Sequence, residues 1–248
     1  MTPTAPSTST AGPTRPFSVF FGHQSVGANI VTGLAELPDT ERLAGPRICD
    51  AHHTSHRDEP SDTRWLLIHC PVGRNREPLS KLEEFERLTR EKFACDVDLA
   101  LLKFCYVDVT SATPVEDLFR TYITRMSALA QALPQMRFAH VTVPLRAVQP
   151  RWRATLGRVL GRSDPEVEHN RAREDFNRRL RETVPPQMLF DLAAIESGPQ
   201  SGFDTARPRA LHAHWTNDGG HLNAPGRRIA ARAFVQFLES LRSPVSVS

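Results

Sequence analysis

The sequence predicts one doubly wound α/β domain, a parallel sheet covered by helices on both faces. Three observations point to it. From Phe17 onward short apolar runs alternate with longer helical patterns, the order that parallel strands joined by crossover helices require. The runs are continuously apolar rather than alternating, as strands buried on both faces are. No internal repeat interrupts the pattern, and 40% apolar residues over 248 positions suffice for a full core.

The elements follow in order. Phe17 to Phe21 reads as the first strand, and Gly22 precedes a helical stretch from Val26 to Leu37. Trp65 to Cys70 reads as the second strand, with Pro46 to Ala51 competing for the same role. Ser80-x-x-Glu83 is a capping box, and Leu82, Phe85 and Leu88 follow at helical spacing. Val97 to Phe104 is the clearest strand; Thr113-Pro114-Val115-Glu116 then opens a helix with the buried stripe Leu118, Tyr122, Met126 and Leu129. Met136 to Val143 is the fourth strand, closed by Pro144. After an Arg-rich insertion at about 145–167, Ala172, Phe176 and Leu180 recur every four residues and fit a helix from Glu168 to Thr183. Pro185-Pro186 stops it, and Met188 to Leu192 makes the fifth strand. Ile229, Ala230, Ala233, Phe234, Phe237 and Leu238 form one face of the last helix. The expected product is a five-stranded parallel sheet in a single domain over 16–243, with tails at 1–15 and 244–248.

Composition narrows the functional classes. Lys and Arg number 31 against 28 Asp and Glu, and a net charge of +3 is too small for a chain whose task is neutralising phosphates. No nucleic-acid partner is expected. No stretch approaches the roughly 20 apolar residues that cross a bilayer, so no membrane partner is expected either. Residues 1–15 are rich in Thr, Pro and Ser, with neither a basic start nor an apolar run, and read as a disordered tail rather than a secretory signal. Cys49, Cys70, Cys95 and Cys105 show no Cys-x-x-Cys spacing, so free thiols and a cytoplasmic location are expected. No glycine-rich phosphate loop follows the first strand, which argues against a nucleotide cofactor. His52, His53 and His56 lie outside any helical pattern and match no metal-ligand spacing, so no metal is expected.

Two short stretches can carry chemistry. In Gly22-His23-Gln24-Ser25-Val26-Gly27, Ser25 stands at a strand-to-helix turn, where a helix N-terminus favours developing negative charge. The same serine could simply cap the helix. In Asn217-Asp218-Gly219-Gly220-His221-Leu222-Asn223, just before the last helix, Asp218 can hold one nitrogen of His221 while the other takes a proton. Equally, the two could only organise the turn. Asp191 is a rival carboxylate, but it sits within a buried run and is expected to anchor a loop by hydrogen bonds. His212 and His214 are expected to line the cleft edge or to be solvated.

Together, in this order on this strand pattern, the two stretches resemble the SGNH or GDSL hydrolases over nearly the whole domain. The resemblance implies a flavodoxin-like three-layer αβα sandwich with Ser25 as nucleophile, His221 as base and Asp218 as its orienting acid. It implies an oxyanion hole from the backbone N–H groups of Ser25 and Gly73, since Gly73 stands where the family has a glycine after its second strand. The chain departs from the family in two places. Gly-His-Gln-Ser-Val-Gly replaces Gly-Asp-Ser-Leu, with one residue more between glycine and serine, and the stretch Lys103 to Asp108 lacks the family's asparagine. Asn75 is the nearby side-chain amide that could replace it. The function implied is a serine esterase or deacylase acting on a small-molecule acyl ester, with no cofactor or metal. The alternative is a non-catalytic module of the same fold that binds a ligand or partner in the cleft.

Residues leaving the carboxyl ends of strands are the candidate substrate contacts. These are Tyr106, Asp108 and Arg146. The segment after the fourth strand holds Arg146, Arg151, Arg153, Arg158 and Arg162, with Trp152, Leu156, Val159 and Leu160 on an apolar side. It reads either as a solvated basic surface or as a short amphipathic lid that overhangs Ser25. Arg146, nearest the strand, is expected to bind a substrate carboxylate or phosphate, which guanidinium geometry suits.

Overall fold

The computed structural model describes residues 16–38, 41, 46–51, 65–148, 164–198 and 208–242. The tails, His52, His53, His56 and most of the Arg-rich insertion, including Arg151, Arg153, Arg158 and Arg162, lie outside them. The strands are β1 (Phe17–His23), β2 (Arg47–Asp50), β3 (Trp65–Pro71), β4 (Leu99–Leu102), β5 (Arg137–Val141) and β6 (Leu189–Phe190). The α-helices are α1 (Ser25–Ala35), α2 (Pro78–Glu91), α3 (Val115–Ala132), α4 (Pro165–Thr183), α5 (Leu192–Ser197) and α6 (Ala224–Arg242). The sheet runs β2-β3-β1-β4-β5-β6, and every pairing is parallel.

The sheet thus has six strands, not the expected five. Pro46 to Ala51 and Trp65 to Cys70 do not compete for one position; Arg47 pairs with Leu66 and Asp50 with His69, side by side. β2 is an edge strand of which only Cys49 is buried, so its apolar signal is weak. The strand expected at Met188 to Leu192 is cut to Leu189–Phe190 because Asp191 caps α5, accepting a hydrogen bond from the Ala194 N–H at 3.1 Å.

Two helix starts differ from expectation for local reasons. α2 begins at Pro78, with proline in the first turn, where its missing N–H is harmless. Ser80 does not cap it; its hydroxyl donates to the Glu77 carbonyl (2.7 Å) and accepts from the Arg74 N–H (2.9 Å). α4 starts at Pro165 because the Asp164 side chain accepts from the Glu166 N–H.

Alternate residues of each strand point to opposite faces, and each face has its own core. Phe20, Leu66, Ile68, Ala100, Leu102 and Phe138 pack with Leu82 and Phe85 of α2, Tyr122 and Met126 of α3, and Phe176 and Leu180 of α4. Val19, Phe21, Leu67, Leu101 and Val141 pack with Val26 and Ile30 of α1, Leu192 of α5, and Phe234 and Leu238 of α6. The three layers place β1 and β4 side by side at the centre. The chain leaves β1 into α1 on one face and leaves β4 toward α3 on the other. A crevice therefore opens beyond their carboxyl ends, the usual place for a ligand in such sheets. Among the described residues no helix is long and apolar enough to cross a membrane.

Candidate active site

The loop before α6 folds into a tight turn around one carboxylate. Asp218 Oδ1 accepts from the N–H groups of Gly220 and His221, both at 2.8 Å, and Gly219 adopts φ +81°, which a glycine tolerates best. The other oxygen, Oδ2, lies 2.6 Å from His221 Nδ1. A carboxylate only accepts, so Nδ1 carries the hydrogen and Nε2 of a neutral imidazole is the basic nitrogen. Partial burial works to raise the Asp218 carboxyl, but the hydrogen bonds from His221 and Gly220 outweigh it and hold it well below the usual carboxylate range. Asp218 and His221 are thus brought together as a donor–acceptor pair.

Ser25 is the first residue of α1, and the N-cap is Gln24. The cap reading of Ser25 therefore does not hold. Gln24 is fixed twice: its carbonyl accepts from His23 Nδ1 (2.9 Å), and its Nε2 donates to the carbonyls of Val72 and Gly73, both at 2.9 Å. Burial keeps His23 neutral, with its pKa lowered to about 3, and its Nε2 accepts from His69 Nδ1 at 3.1 Å. Gln24 is the extra residue between glycine and serine, and its side chain ties the Ser25 turn to the loop after β3.

The His221 loop is docked on the helix that Ser25 begins. The Leu222 N–H donates to Asn29 Oδ1 at 3.0 Å, and Asn29 follows Ser25 by four positions, on the same face of α1. Ser25 Oγ and His221 do not hydrogen-bond to one another; the link between the two is the Leu222–Asn29 bond.

Gly73 has φ +56°, and a Cβ there would lie 2.4 Å from the Lys81 backbone nitrogen, so only glycine fits. Among the described residues no hydrogen bond engages the N–H of Ser25 or of Gly73. Asn75 Oδ1 accepts from Lys81 Nζ at 2.9 Å. Ammonium only donates, so the amide's carbonyl end is fixed on the lysine and its NH2 end is left as a donor.

No family model matches the chain, and no curated protein matches it either. Its fold is similar to that of a lipase/acylhydrolase from Enterococcus faecalis, at TM-score 0.52 and 14% identity, covering 93% of this chain and 100% of that one. It is also similar to a Streptococcus pneumoniae protein provisionally named a platelet activating factor, at TM-score 0.52 and 15% identity, covering 92% and 86%. The fold is that of the SGNH hydrolases. At such identities the likeness is one of SGNH architecture, and function has to be argued from the site itself.

Within this SGNH fold the remaining candidate residues hold structural positions. Asp108 is fully buried and accepts from Lys81 Nζ (2.5 Å), the Cys105 N–H (2.6 Å) and the Arg76 N–H (2.8 Å). Arg146 donates from Nη1 to Glu166 (2.9 Å) and from Nε and Nη2 to the carbonyls of Gly219 and Asp218, both at 3.3 Å. Those contacts brace the Asp218–His221 loop and use three of the five guanidinium N–H groups. The Tyr106 ring meets His221 edge-on at 5.8 Å. Asp191 pairs with Arg181 through two bonds of 2.7 and 2.8 Å and accepts from Thr142, with no bond to His221. His212 packs on Trp215 at 4.9 Å, and its ring stacks with His214 at 5.4 Å. Among the described residues no cluster of His, Cys, Asp and Glu is placed to hold a metal.

The sequence reading passed over Lys81 and Arg173. Both sit on the apolar stripe of their helix: Lys81 with Phe85 and Leu88, Arg173 with Phe176 and Leu180. A basic residue at a core position of an amphipathic helix was the available signal, because such a group must be paired inside.

Glu196 supports the same region and gives a stability test. Its Oε2 accepts from the Leu145 N–H at 2.7 Å, next to Arg146, while Oε1 is buried without a partner among the described residues. Burial pushes its carboxyl up to about 8 from an ordinary 4.5, partly offset by the Leu145 bond and by Lys103 and Arg173. The native state therefore holds a proton that the unfolded chain releases. That stabilisation is complete below 4.5 and is lost as the pH rises toward 8. Glu196→Gln keeps an acceptor for Leu145 and removes the titration. Urea unfolding should show wild type losing stability between acid and mildly alkaline pH, and the variant exceeding it by about 1–3 kcal/mol at the alkaline end. Parallel pH curves for the two proteins would refute this.

Proposed function

We propose that the protein is a serine hydrolase of small acyl esters, working through Ser25, His221 and Asp218. The observation that carries this reading is the 2.6 Å contact between His221 Nδ1 and Asp218 Oδ2, on a loop bonded to the helix that Ser25 opens. In the acylation step Ser25 Oγ attacks the carbonyl carbon and His221 Nε2 takes the hydroxyl proton. Asp218 holds the imidazole in the required tautomer and stabilises the imidazolium. The N–H groups of Ser25 and Gly73, with the Asn75 amide, donate to the developing oxyanion. His221 then gives its proton to the departing alcohol, leaving an acyl ester on Ser25. Water, deprotonated by His221, releases the acid and restores the serine. None of these steps calls for a cofactor.

A fluorophosphonate tests the reading directly, because it phosphonylates only a serine activated in this way. Intact-mass analysis should find one adduct, mapping to Ser25, and none on Ser25→Ala. The wild type should hydrolyse short p-nitrophenyl esters and Ser25→Ala should not. An unlabelled wild-type protein would instead be a ligand-binding module built on the same fold.

A further inference from the structure

Beside the Asp218–His221 pair lies a cavity of about 330 Å³, walled by Arg76, Tyr106, Asp108, Arg146, Glu166 and Arg173. Its charge is unbalanced. Asp108 is neutralised by Lys81, and the single carboxylate of Glu166 is shared between Arg146 (2.9 Å) and Arg173 (3.0 Å). Arg76 has no counter-charge among the described residues.

Hydrogen-bond donors are left over as well. The Arg173 side chain is 2% exposed; its Nε donates to the carbonyls of Tyr106 and Val109, and its Nη1 to Glu166 and Asn170. Its Nη2 donates to nothing among the described residues. That Nη2 is not among the buried atoms left without a partner, so it is open to the cavity that Arg173 lines, where it can donate to an entering anion. Arg76 is exposed at the cavity's edge, and its guanidinium makes no bond among the described residues. Arg76 is, among them, the only residue other than glycine with positive φ, at 68°. Such backbone conformations persist where surrounding contacts impose them and where a side chain must be aimed. Here the imposing contact is the Arg76 N–H bond to Asp108 Oδ1 at 2.8 Å.

One aromatic ring joins this cavity to the catalytic pair. The Tyr106 centroid lies 5.3 Å from Arg146 Cζ, 5.8 Å from Arg173 Cζ and 5.8 Å from the His221 ring. A substrate carbonyl at Ser25 could therefore carry a second group past Tyr106 into the cavity.

We propose that this cavity is an oxyanion subsite, in which Arg76 and Arg173 bind a carboxylate or phosphate borne by the ester that Ser25 attacks. The proposal rests on the esterase reading for its substrate and on the cavity alone for its anion. The preferred substrates are esters whose anionic group stands several bonds from the scissile carbonyl, as in a dicarboxylic half-ester or a phosphorylated alcohol. The sequence expectation assigned this task to Arg146, which lines the same cavity; because its guanidinium also holds Glu166 and the carbonyls of Gly219 and Asp218, the anion is assigned to Arg76 and Arg173.

Two measurements test it. Calorimetric titration with inorganic phosphate and with glutarate should show saturable binding to the wild type, weakened about tenfold or more in Arg76→Gln. The exposed control Arg178→Gln should bind as the wild type does. Whichever anion binds more tightly identifies the substrate's anionic group. Binding that is absent, or equal in wild type and Arg76→Gln, overturns the subsite. In the second measurement, kcat/KM for p-nitrophenyl hemiglutarate relative to p-nitrophenyl valerate should exceed one. That ratio should fall about tenfold in Arg76→Gln and shrink in high salt. A ratio near one in both proteins overturns the assignment of the anion to the ester. If neither ester is hydrolysed while phosphate or glutarate binding still depends on Arg76, the subsite stands and the esterase reading fails.

Discussion

His221→Ala should lower turnover of p-nitrophenyl acetate by about 10³-fold or more, and adding Ser25→Ala should change almost nothing further. The reason is that the serine oxygen is a poor nucleophile until an imidazole removes its proton, so losing either member removes the same step. Asp218→Asn should cost on the order of 10³–10⁴ through a different route. Asp218 Oδ2 now fixes the hydrogen on His221 Nδ1 at 2.6 Å; an amide there could donate to Nδ1 and push the hydrogen onto Nε2, the nitrogen that must accept. The side chains of His221 and Asp218 are 42% and 55% exposed, so circular dichroism of all three variants should match the wild type. Asp191→Asn provides the contrast. Its carboxylate is bound to Arg181, Thr142 and the Ala194 N–H, so its loss should lower the unfolding midpoint and leave kcat within a few-fold. Multiplicative losses in Ser25→Ala/His221→Ala, or a greater kcat loss in Asp191→Asn than in Asp218→Asn, would dismantle the triad.

What could be read in the sequence divides along the range of the interactions involved. β1, β3 and β4 were visible because burial on both faces makes a strand continuously apolar. β2 was visible only as a rival to β3 at Pro46 to Ala51, because an edge strand with Arg47 and Asp50 at its ends carries little apolar signal. Asp218 and His221 were visible because their contact spans three residues of one turn. Ser25 was visible from the strand-to-helix turn, although Gln24, which fixes that turn, was not: its partners are the carbonyls of Val72 and Gly73, in another loop. The same applies to Asp108, whose partners Lys81 and Arg76 come from the β3–α2 region. Arg146 was correctly placed at the end of a strand, but its hydrogen bonds reach Asp218 and Gly219 across the fold, and no local pattern encodes them. Short-range chemistry is therefore written in spacing, whereas the bracing of the loops depends on tertiary contacts that spacing does not reveal.

Lys81→Met should destabilise the protein by about 3–5 kcal/mol, the largest stability loss expected of a single substitution near the site. Lys81 and Asp108 are both fully buried, with Nζ 2.5 Å from Oδ2, so removing the ammonium leaves an interior carboxylate without its ion-pair partner and with only the buried Lys103, whose charge burial disfavours, as a neighbouring cation. The N–H groups of Cys105 and Arg76 still donate to that carboxylate and soften the loss without neutralising it. Lys81→Met/Asp108→Asn should therefore recover part of the stability: the charge is gone, and the single amide oxygen still accepts from one of the two N–H groups, which bond to different oxygens of the carboxylate. Urea unfolding of the two single variants and the double variant gives the coupling energy as a double-mutant cycle. Activity should behave differently from stability. The double variant still lacks the ammonium that holds Asn75 Oδ1, so the Asn75 amide loses its fixed orientation. On the proposed mechanism kcat should stay reduced, approaching the 10²–10³-fold typical of a lost oxyanion donor, with KM little changed. A loss under about 1 kcal/mol in Lys81→Met would mean that the pair behaves like a solvated surface bridge. Full activity in the refolded double variant would remove Asn75 from the oxyanion hole, leaving the backbone amides of Ser25 and Gly73 to form it.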